Sequence, residues 1–374
     1  MSVRCFQIAN GLGAGNIGDD LMALAFWDSL PQGVELDVAV FATAFERRAC
    51  YPDRHRYIQV NYDGNESVEA GAASGLLVGD TPVTEAEGIH WPLRFLAPRL
   101  DYFHQRSLPV DAIGVGVDRL HSAEARALFR SFFLPIRSWT VRSIQCRDAL
   151  LELGVAEHRI LVGADWGWAY RRRQDLSGWA GDLWRSLGVD PRQPLLVINV
   201  VNLIWASLIE PKRAIAVALD ELSRSDSFQI AFFCNEVRDG EFFDGHAARS
   251  VQALMNRPSV LVPVAYYSPD EVLALLSHAS VTIAERYHFA VESVLAGTVP
   301  VNIVRGQKMC GLTEELGLPV AGRVDDVAPS ELIRVVRSAV ADRPRLLAQL
   351  DVARRHLAIR AANNLAFVRS FYGI

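Results

Sequence analysis

The chain has 374 residues, 50% of them hydrophobic and 22% charged, with a formal net charge of -5; this is the composition of a globular protein, and the length favours two domains over one core. That charge argues against nucleic acid as a partner, and no uncharged apolar run approaches the roughly 18 residues of a membrane span. Five cysteines without CxxC pairing argue against a disulfide framework or a zinc site and for reduced thiols in a cytoplasmic compartment.

In chain order, an apolar run at 3–9 is broken by Gly11-Leu12-Gly13-Ala14-Gly15, and helical spacing follows over 21–30. This reads as strand, glycine-rich turn, helix. Further strands are expected at 36–41, 57–60, 75–78, 112–117, 138–142 and 160–162, with helices at 123–133 and 143–153. The alternation implies a mostly parallel sheet covered by helices. Between Trp166 and Pro194 the pattern shifts to arginine, tryptophan and glycine, with one amphipathic helix at 176–187, and the domain boundary is placed there. The α/β rhythm then restarts. Strands are expected at 195–200, 228–233, 260–262, 281–284 and 299–303, and helices at 211–223, 249–255, 269–277 and 290–296. A long helical pattern over 345–371 could pack back across the first domain. The expectation is α/β throughout: an N-terminal Rossmann-like domain over 1–178 and a C-terminal one over 179–374. The N-terminus lacks the basic, apolar and small-residue succession of a signal peptide.

Gly15-Asn16-Ile17-Gly18-Asp19-Asp20 falls between the first strand and the first helix, where converging N–H groups and the helix dipole favour an anion. Asp19 or Asp20 could equally serve as the helix N-cap. The spacing fits neither G-x-G-x-x-G nor a Walker A loop, so a dinucleotide or ATP site is not expected. Arg286 and His288 follow the buried run at 281–284 and are expected in an irregular loop at the strand end, where α/β sheets bind ligands. A guanidinium offers a planar fork to a carboxylate or phosphate, and a histidine can donate to an anion or carry a proton near neutral pH. Arg142 ends the strand at 138–142 in a similar position. Lys308 is one of two lysines, with Lys212, among 38 Lys+Arg residues, and the chemistry of the two basic side chains differs. Arg142, Arg286 and Lys308 together would suit a small polyanion. Trp205, past the strand at 195–200, and Tyr266-Tyr267 are aromatic candidates for sugar contact. No second metal ligand stands at suitable spacing from His288.

Several stretches together resemble the polysaccharide pyruvyl transferases. They are Gly15-Asn16-Ile17-Gly18-Asp19, Thr140-Val141-Arg142 with Leu151-Glu152-Leu153-Gly154-Val155, the segment 268–300 around Arg286-Tyr287-His288, and Gln307-Lys308-Met309-Cys310-Gly311-Leu312 leading to Leu316-Gly317-Leu318. The resemblance implies a fold similar to GT-B glycosyltransferases, two Rossmann-like domains facing across a cleft. It implies an enzyme that moves the enolpyruvyl unit of phosphoenolpyruvate onto sugar hydroxyls, usually as a cyclic pyruvate ketal. Arg142, Arg286 and Lys308 would bind phosphoenolpyruvate, His288 and Asp19 would be the catalytic acid/base pair, and Asn16, Gly18 and Trp205 would lie on the acceptor side. No cofactor or metal is implied beyond the donor substrate. The acceptor would be a glycan or lipid-linked sugar met from the cytoplasm, at the inner membrane face where lipid-linked, and an oligomer is compatible with these features. Where the family carries a glycine-rich strand end, this chain has Gly79-Asp80-Thr81-Pro82, which puts the acceptor pocket and the transferred group in question. A nucleotide-sugar GT-B glycosyltransferase and a catalytically silent glycan-binding relative are the alternatives.

Overall fold

The computed structural model describes residues 5–8, 11–32, 34–41, 45–60, 72–202 and 209–370. They cluster into two units: the first takes the described residues of Met1–Gly15, Asp19–Tyr170 and His356–Ile374, the second those of Asn16–Gly18 and Arg171–Arg355.

The first unit runs β1 (Cys5–Gln7), α1 (Ile17–Ser29), β2 (Leu36–Phe41), β3 (Arg56–Val60), β4 (Ser74–Val78), α2 (Phe95–Gln105), β5 (Val110–Val115), α3 (Ala123–Leu128), β6 (Ser138–Val141), α4 (Ile144–Glu152) and β7 (Ile160–Val162). Its strands form one parallel sheet in the order β3-β2-β1-β4-β5-β6-β7. Every residue of β4, β5 and β6 is buried, which is why these strands are mostly apolar on both sides: helices cover both faces of a parallel sheet. Helix α2 went unread because Pro98 interrupts it.

The second unit follows with α5 (Ser177–Ser186), β8 (Leu195–Asn199), α6 (Ile209–Ser225), β9 (Gln229–Phe232), α7 (Asp244–Gln252), β10 (Ser259–Leu261), α8 (Pro269–Leu276), β11 (Val281–Ala284), α9 (Tyr287–Leu295), β12 (Pro300–Val304), α10 (Gln307–Leu316), β13 (Val320–Arg323), β14 (Asp326–Val327), α11 (Pro329–Ala341) and α12 (Arg343–Ser370). Its sheet repeats the strand order of the first, β10-β9-β8-β11-β12-β13-β14, with only β14 antiparallel to its neighbour.

The division at 170/171 precedes the expected 178/179. The intervening residues are tied to α8: the N–H groups of Arg173 and Gln174 donate to the Asp270 carboxylate at 3.1–3.2 Å. Helix α5 is then anchored there as well, since Trp184 Nε1 donates to the Leu275 carbonyl. Helix α12 belongs to the second unit up to Arg355 and to the first from His356. In the first unit Asn364 Nδ2 donates to the Ala164 carbonyl at 2.8 Å. In each sheet the strand order reverses beside the unit's first strand, at β1/β4 and at β8/β11. The carboxyl ends at such a switch point are where open α/β sheets bind ligands.

Candidate functional site

In the second unit, β11 ends in Glu285-Arg286 beside the end of β8. The irregular loop expected around Arg286 and His288 does not occur. Arg286 is extended (φ -103, ψ 140) and serves as the N-cap position of α9, so His288 stands in the first turn of that helix. The reason is packing: Tyr287, Phe289 and Ala290 are all buried, so the chain enters its helix as soon as the strand ends.

Arg286 is a fixed cation. Its Nε and Nη2 donate to Asp244 at 2.7–2.9 Å, a bidentate geometry that sets the plane of the guanidinium. Asp244, 1% exposed, also accepts from Asn199 Nδ2 at 2.8 Å and from the N–H groups of Asn235 and Glu236 at 3.0 and 3.1 Å. The ends of β8, β9 and β11 are thereby joined through one carboxylate. Beside it, Glu285 accepts the Val201 N–H at 2.6 Å. Burial pushes the Glu285 carboxyl up to about 8, although Val201, Arg305 and Lys212 pull the other way. Burial also raises Glu292 well above the usual range, against a 2.5 Å hydrogen bond from Asn235 Nδ2. Charged forms are disfavoured where water is excluded.

Asn16 and Gly18 join this group. Asn16 Oδ1 accepts the Gly18 N–H at 3.1 Å, so Asn16 caps α1, and Asp19 and Asp20, the caps anticipated from sequence, occupy its first turn instead. The Ile17 N–H donates to the Asn235 carbonyl at 3.0 Å, and Asn16 bridges Glu236. A Cβ at Gly18 would lie 2.5 Å from the His288 Cβ and closer still to the ring. Glycine is therefore what lets this backbone lie against the histidine. Lys308 is exposed in the first turn of α10, which follows β12, the strand next to β11.

Two predicted residues belong to the first unit. Arg142 directly follows β6, which stops at Val141, one residue before the expected end, and is 5% exposed; its Nη2 donates to Thr81 Oγ1 at 2.9 Å and its Nη1 lies 3.5 Å from Asp165 Oδ2. A Cβ at Gly116 would sit 2.5 Å from the Arg142 Cζ. Ser143 caps the helix that follows, accepting the Cys146 N–H. Asp19 is half-buried near the glycine turn after β1, where a Cβ at Gly11 would approach its Oδ2 to 3.0 Å. Its neighbour Asp20 is fully buried and accepts from the Tyr51 hydroxyl at 2.6 Å and the Gly13 N–H at 3.3 Å. That pairing is structural. Sequence reading grouped the cations around one anion; Arg142 falls in the first unit and Arg286, His288 and Lys308 in the second. Trp205 lies outside the described residues.

The sequence profile of the family described as polysaccharide pyruvyl transferase matches residues 16–306. The chain belongs to the polysaccharide pyruvyl transferase family. That match takes in Asn16, Gly18, Asp19, Arg142, Arg286 and His288 and ends just short of Lys308. No curated protein matches the chain. Among solved structures, the UDP-GlcNAc 2-epimerase of Neisseria meningitidis bound to UDP-GlcNAc is similar at a TM-score of 0.62 and 10% identity, covering 99% of this chain and 100% of that one. MnaA of S. aureus with UDP gives 0.64 and 10%, covering 100% and 97%. Anabaena HepE in complex with UDP-glucose gives 0.62 and 12%, covering 99% and 99%. At such identities the likeness is one of fold, and the fold of this pyruvyl transferase family member is that of the GT-B enzymes.

Sequence reading missed Asp244, Glu285, Thr81 and Asp165. Three of them stand far in the chain from the residues they hold: Asp244 is 42 residues from Arg286, Thr81 61 residues from Arg142 and Asp165 23 residues from Arg142. A visible signal did exist for Glu285, an acidic residue directly after a fully apolar strand.

Proposed function

We propose that this family member transfers the enolpyruvyl group of phosphoenolpyruvate to hydroxyls of a polysaccharide sugar, giving a pyruvate ketal and inorganic phosphate. The observation that carries this reading is the family match across 16–306, which includes Arg286 and His288 at the carboxyl end of β11.

The chemistry accounts for the residue types. A general acid protonates C3 of the enol, C2 gains oxocarbenium character, and a sugar hydroxyl adds to C2 while a general base takes its proton. The C2–O bond to phosphate then breaks, phosphate departs with its electron pair, and a second hydroxyl of the same sugar closes the ketal with loss of its proton. Acid and base catalysis each contribute on the order of 10²–10⁴-fold. Cations at the departing phosphate stabilise the charge it develops. Arg286, Lys308 and Arg142 are assigned to the phosphate and carboxylate of the donor, and His288 and Asp19 to proton transfer. Arg286, held in plane by Asp244, is suited to such a role because it need not reorganise during the reaction. In this reading the acceptor, free or lipid-linked, is met from the cytoplasmic side. No described helix is long and apolar enough to cross a membrane.

The test is phosphate release from phosphoenolpyruvate with a panel of sugar and lipid-linked acceptors, followed by the mass of the product. Release is expected in the wild type and its loss in His288→Ala and Arg286→Ala. The nucleotide-sugar alternative draws on the UDP and UDP-sugars bound by the fold neighbours. Thermal stabilisation by UDP-sugars and not by phosphoenolpyruvate would sink the pyruvyl-transfer reading.

A further inference from the structure

Resting on the roles just proposed for Arg286 and His288, we infer that Asn235 and Glu292 are positioning residues, a buried amide–carboxylic acid pair that sets the place of His288. Asn235 follows β9 at the carboxyl end of the second sheet. It is 0% exposed, as is Glu292. Three bonds meet at this one asparagine. Its N–H donates to Asp244 Oδ2 at 3.0 Å, the carboxylate that holds Arg286. Its carbonyl accepts the Ile17 N–H at 3.0 Å, next to Gly18, whose backbone lies against His288. Its side-chain Nδ2 donates to Glu292 Oε2 at 2.5 Å. Glu292 stands four residues after His288 in α9, one turn on and on the same side of the helix. Asn235 thus ties three things to one point: the partner of the arginine, the backbone packed against the histidine, and the next turn of the histidine's own helix.

The pair has a second arm. Asn235 Oδ1 and Glu292 Oε1 are both buried, and neither atom has a hydrogen-bond partner among the described residues. An amide oxygen only accepts, and an ionised carboxylate only accepts as well. Two buried oxygens left in that state would each carry the full cost of lost hydration. One proton on Glu292 Oε1 satisfies both. A planar acid facing a planar amide makes two parallel bonds, Nδ2–H to Oε2 and Oε1–H to Oδ1. Burial favours the same form: it raises the Glu292 carboxyl well above its usual range, against the Asn235 bond and the Arg286 charge. A single hydrogen bond leaves the two groups free to swing about it, whereas two parallel bonds fix their rotation as well as their distance. Glu292→Gln keeps both arms, because its Nε2–H takes the place of the acid proton. Glu292→Met and Asn235→Ala remove both, and Asn235→Ala retains the backbone N–H that holds Asp244.

The first measurement reads the pair itself. Infrared difference spectra of the whole chain at neutral pH, wild type minus Glu292→Gln, are expected to show the carbonyl stretch of a protonated, hydrogen-bonded carboxyl; its absence overturns the pair. The second reads the positioning, on protein with isotope-labelled histidine. The His288 imidazole signals, assigned by their loss in His288→Asn, are expected to stay in place in Glu292→Gln and to move in Glu292→Met and Asn235→Ala. Turnover follows the same order. In the two disrupting variants kcat for phosphate release is expected to fall about tenfold or more with the KM for phosphoenolpyruvate nearly unchanged, because Arg286 keeps its partner, and Glu292→Gln stays close to wild type. A role in stability alone would lower the melting temperatures of the disrupting variants and leave the His288 signals and kcat unmoved, which overturns the assignment. So does a Glu292→Gln variant that behaves like Glu292→Met. If one disrupting variant does not fold, the other carries the comparison, and the infrared band needs neither. The two readings fail separately: the band and the moved His288 signals without phosphate release in the wild type support the pair and count against pyruvyl transfer, whereas phosphate release that Glu292→Met and Asn235→Ala leave unchanged counts against the positioning role.

Discussion

Gly18 shows how a single residue can matter by what it lacks. The backbone at Gly18 lies where a Cβ would meet the Cβ and ring of His288, in a helix start otherwise set by the Asn16 cap. Gly18→Ala must push the histidine from its place. We expect phosphate release to fall on the order of 100-fold, the scale of an ångström-sized misplacement at a reacting centre. The melting temperature should fall as well, because the new Cβ overpacks against the Cβ of His288, a clash of about 1–3 kcal/mol that outweighs the helix preference of alanine over glycine. A variant with full turnover and wild-type kinetics would show that the His288 position has no part in the reaction. Gly18 and His288 were both named from sequence. Their contact was not legible, because the two residues are 270 positions apart and only the docking of Ile17 on Asn235 brings them together. Asp244 was invisible for the same reason: an aspartate at a helix start looks like an ordinary first-turn acid.

Among the elements, α8 and β11 were the most legible. Helix α8 opens with a complete capping box: Ser268 Oγ accepts the Glu271 N–H, Glu271 Oε2 accepts the Ser268 N–H at 2.6 Å, and proline stands in the first turn. All of this is local in sequence, so the spacing of Ser268, Pro269 and Glu271 announces it. Ser268→Ala should cost about 1 kcal/mol, read from urea unfolding; an unchanged midpoint would show that the Pro269 start and buried face of α8 suffice. Strand β11 was read with its observed bounds, since four buried residues flanked by polar ones leave little choice. Helix α9 was read three residues late. The Arg286-Tyr287-His288 tripeptide has no apolar periodicity to mark it as helical, and the burial of Tyr287 that starts the helix is a tertiary fact.

At the scale of the molecule, the second unit carries two buried acids whose protonation is linked to folding. Glu285 is raised to about 8 and Glu292 is also raised, both chiefly by burial. Between the ordinary carboxyl range and their folded values the native state holds protons that the unfolded chain has released. Stability therefore falls as pH rises through that window, by at most about 1.4 kcal/mol per pH unit per group. For Glu285 the window runs from near 4.5 up to about 8, above which its contribution levels off. We expect Glu285→Gln to flatten the decline, measured as urea midpoints across the window. An identical slope in the variant would show that Glu285 titrates normally. The two sheets share one strand order, and that duplication was legible as an α/β rhythm that stops after Trp166 and restarts at Leu195. The boundary itself was set by the Asp270 anchor on Arg173 and Gln174, an interaction across nearly a hundred residues.

The sequence by itself determined the α/β class, the doubled architecture and the strand-end motifs, because apolar runs, glycine turns and caps act between residues close in the chain. Only the tertiary structure decided that Arg286 is locked by Asp244, that Arg142 is buried against Thr81 and Asp165, and that Asn235 joins Ile17, Asp244 and Glu292. Each of these depends on strands distant in sequence ending side by side, and the free energy of a buried charge or polar group is fixed by those neighbours.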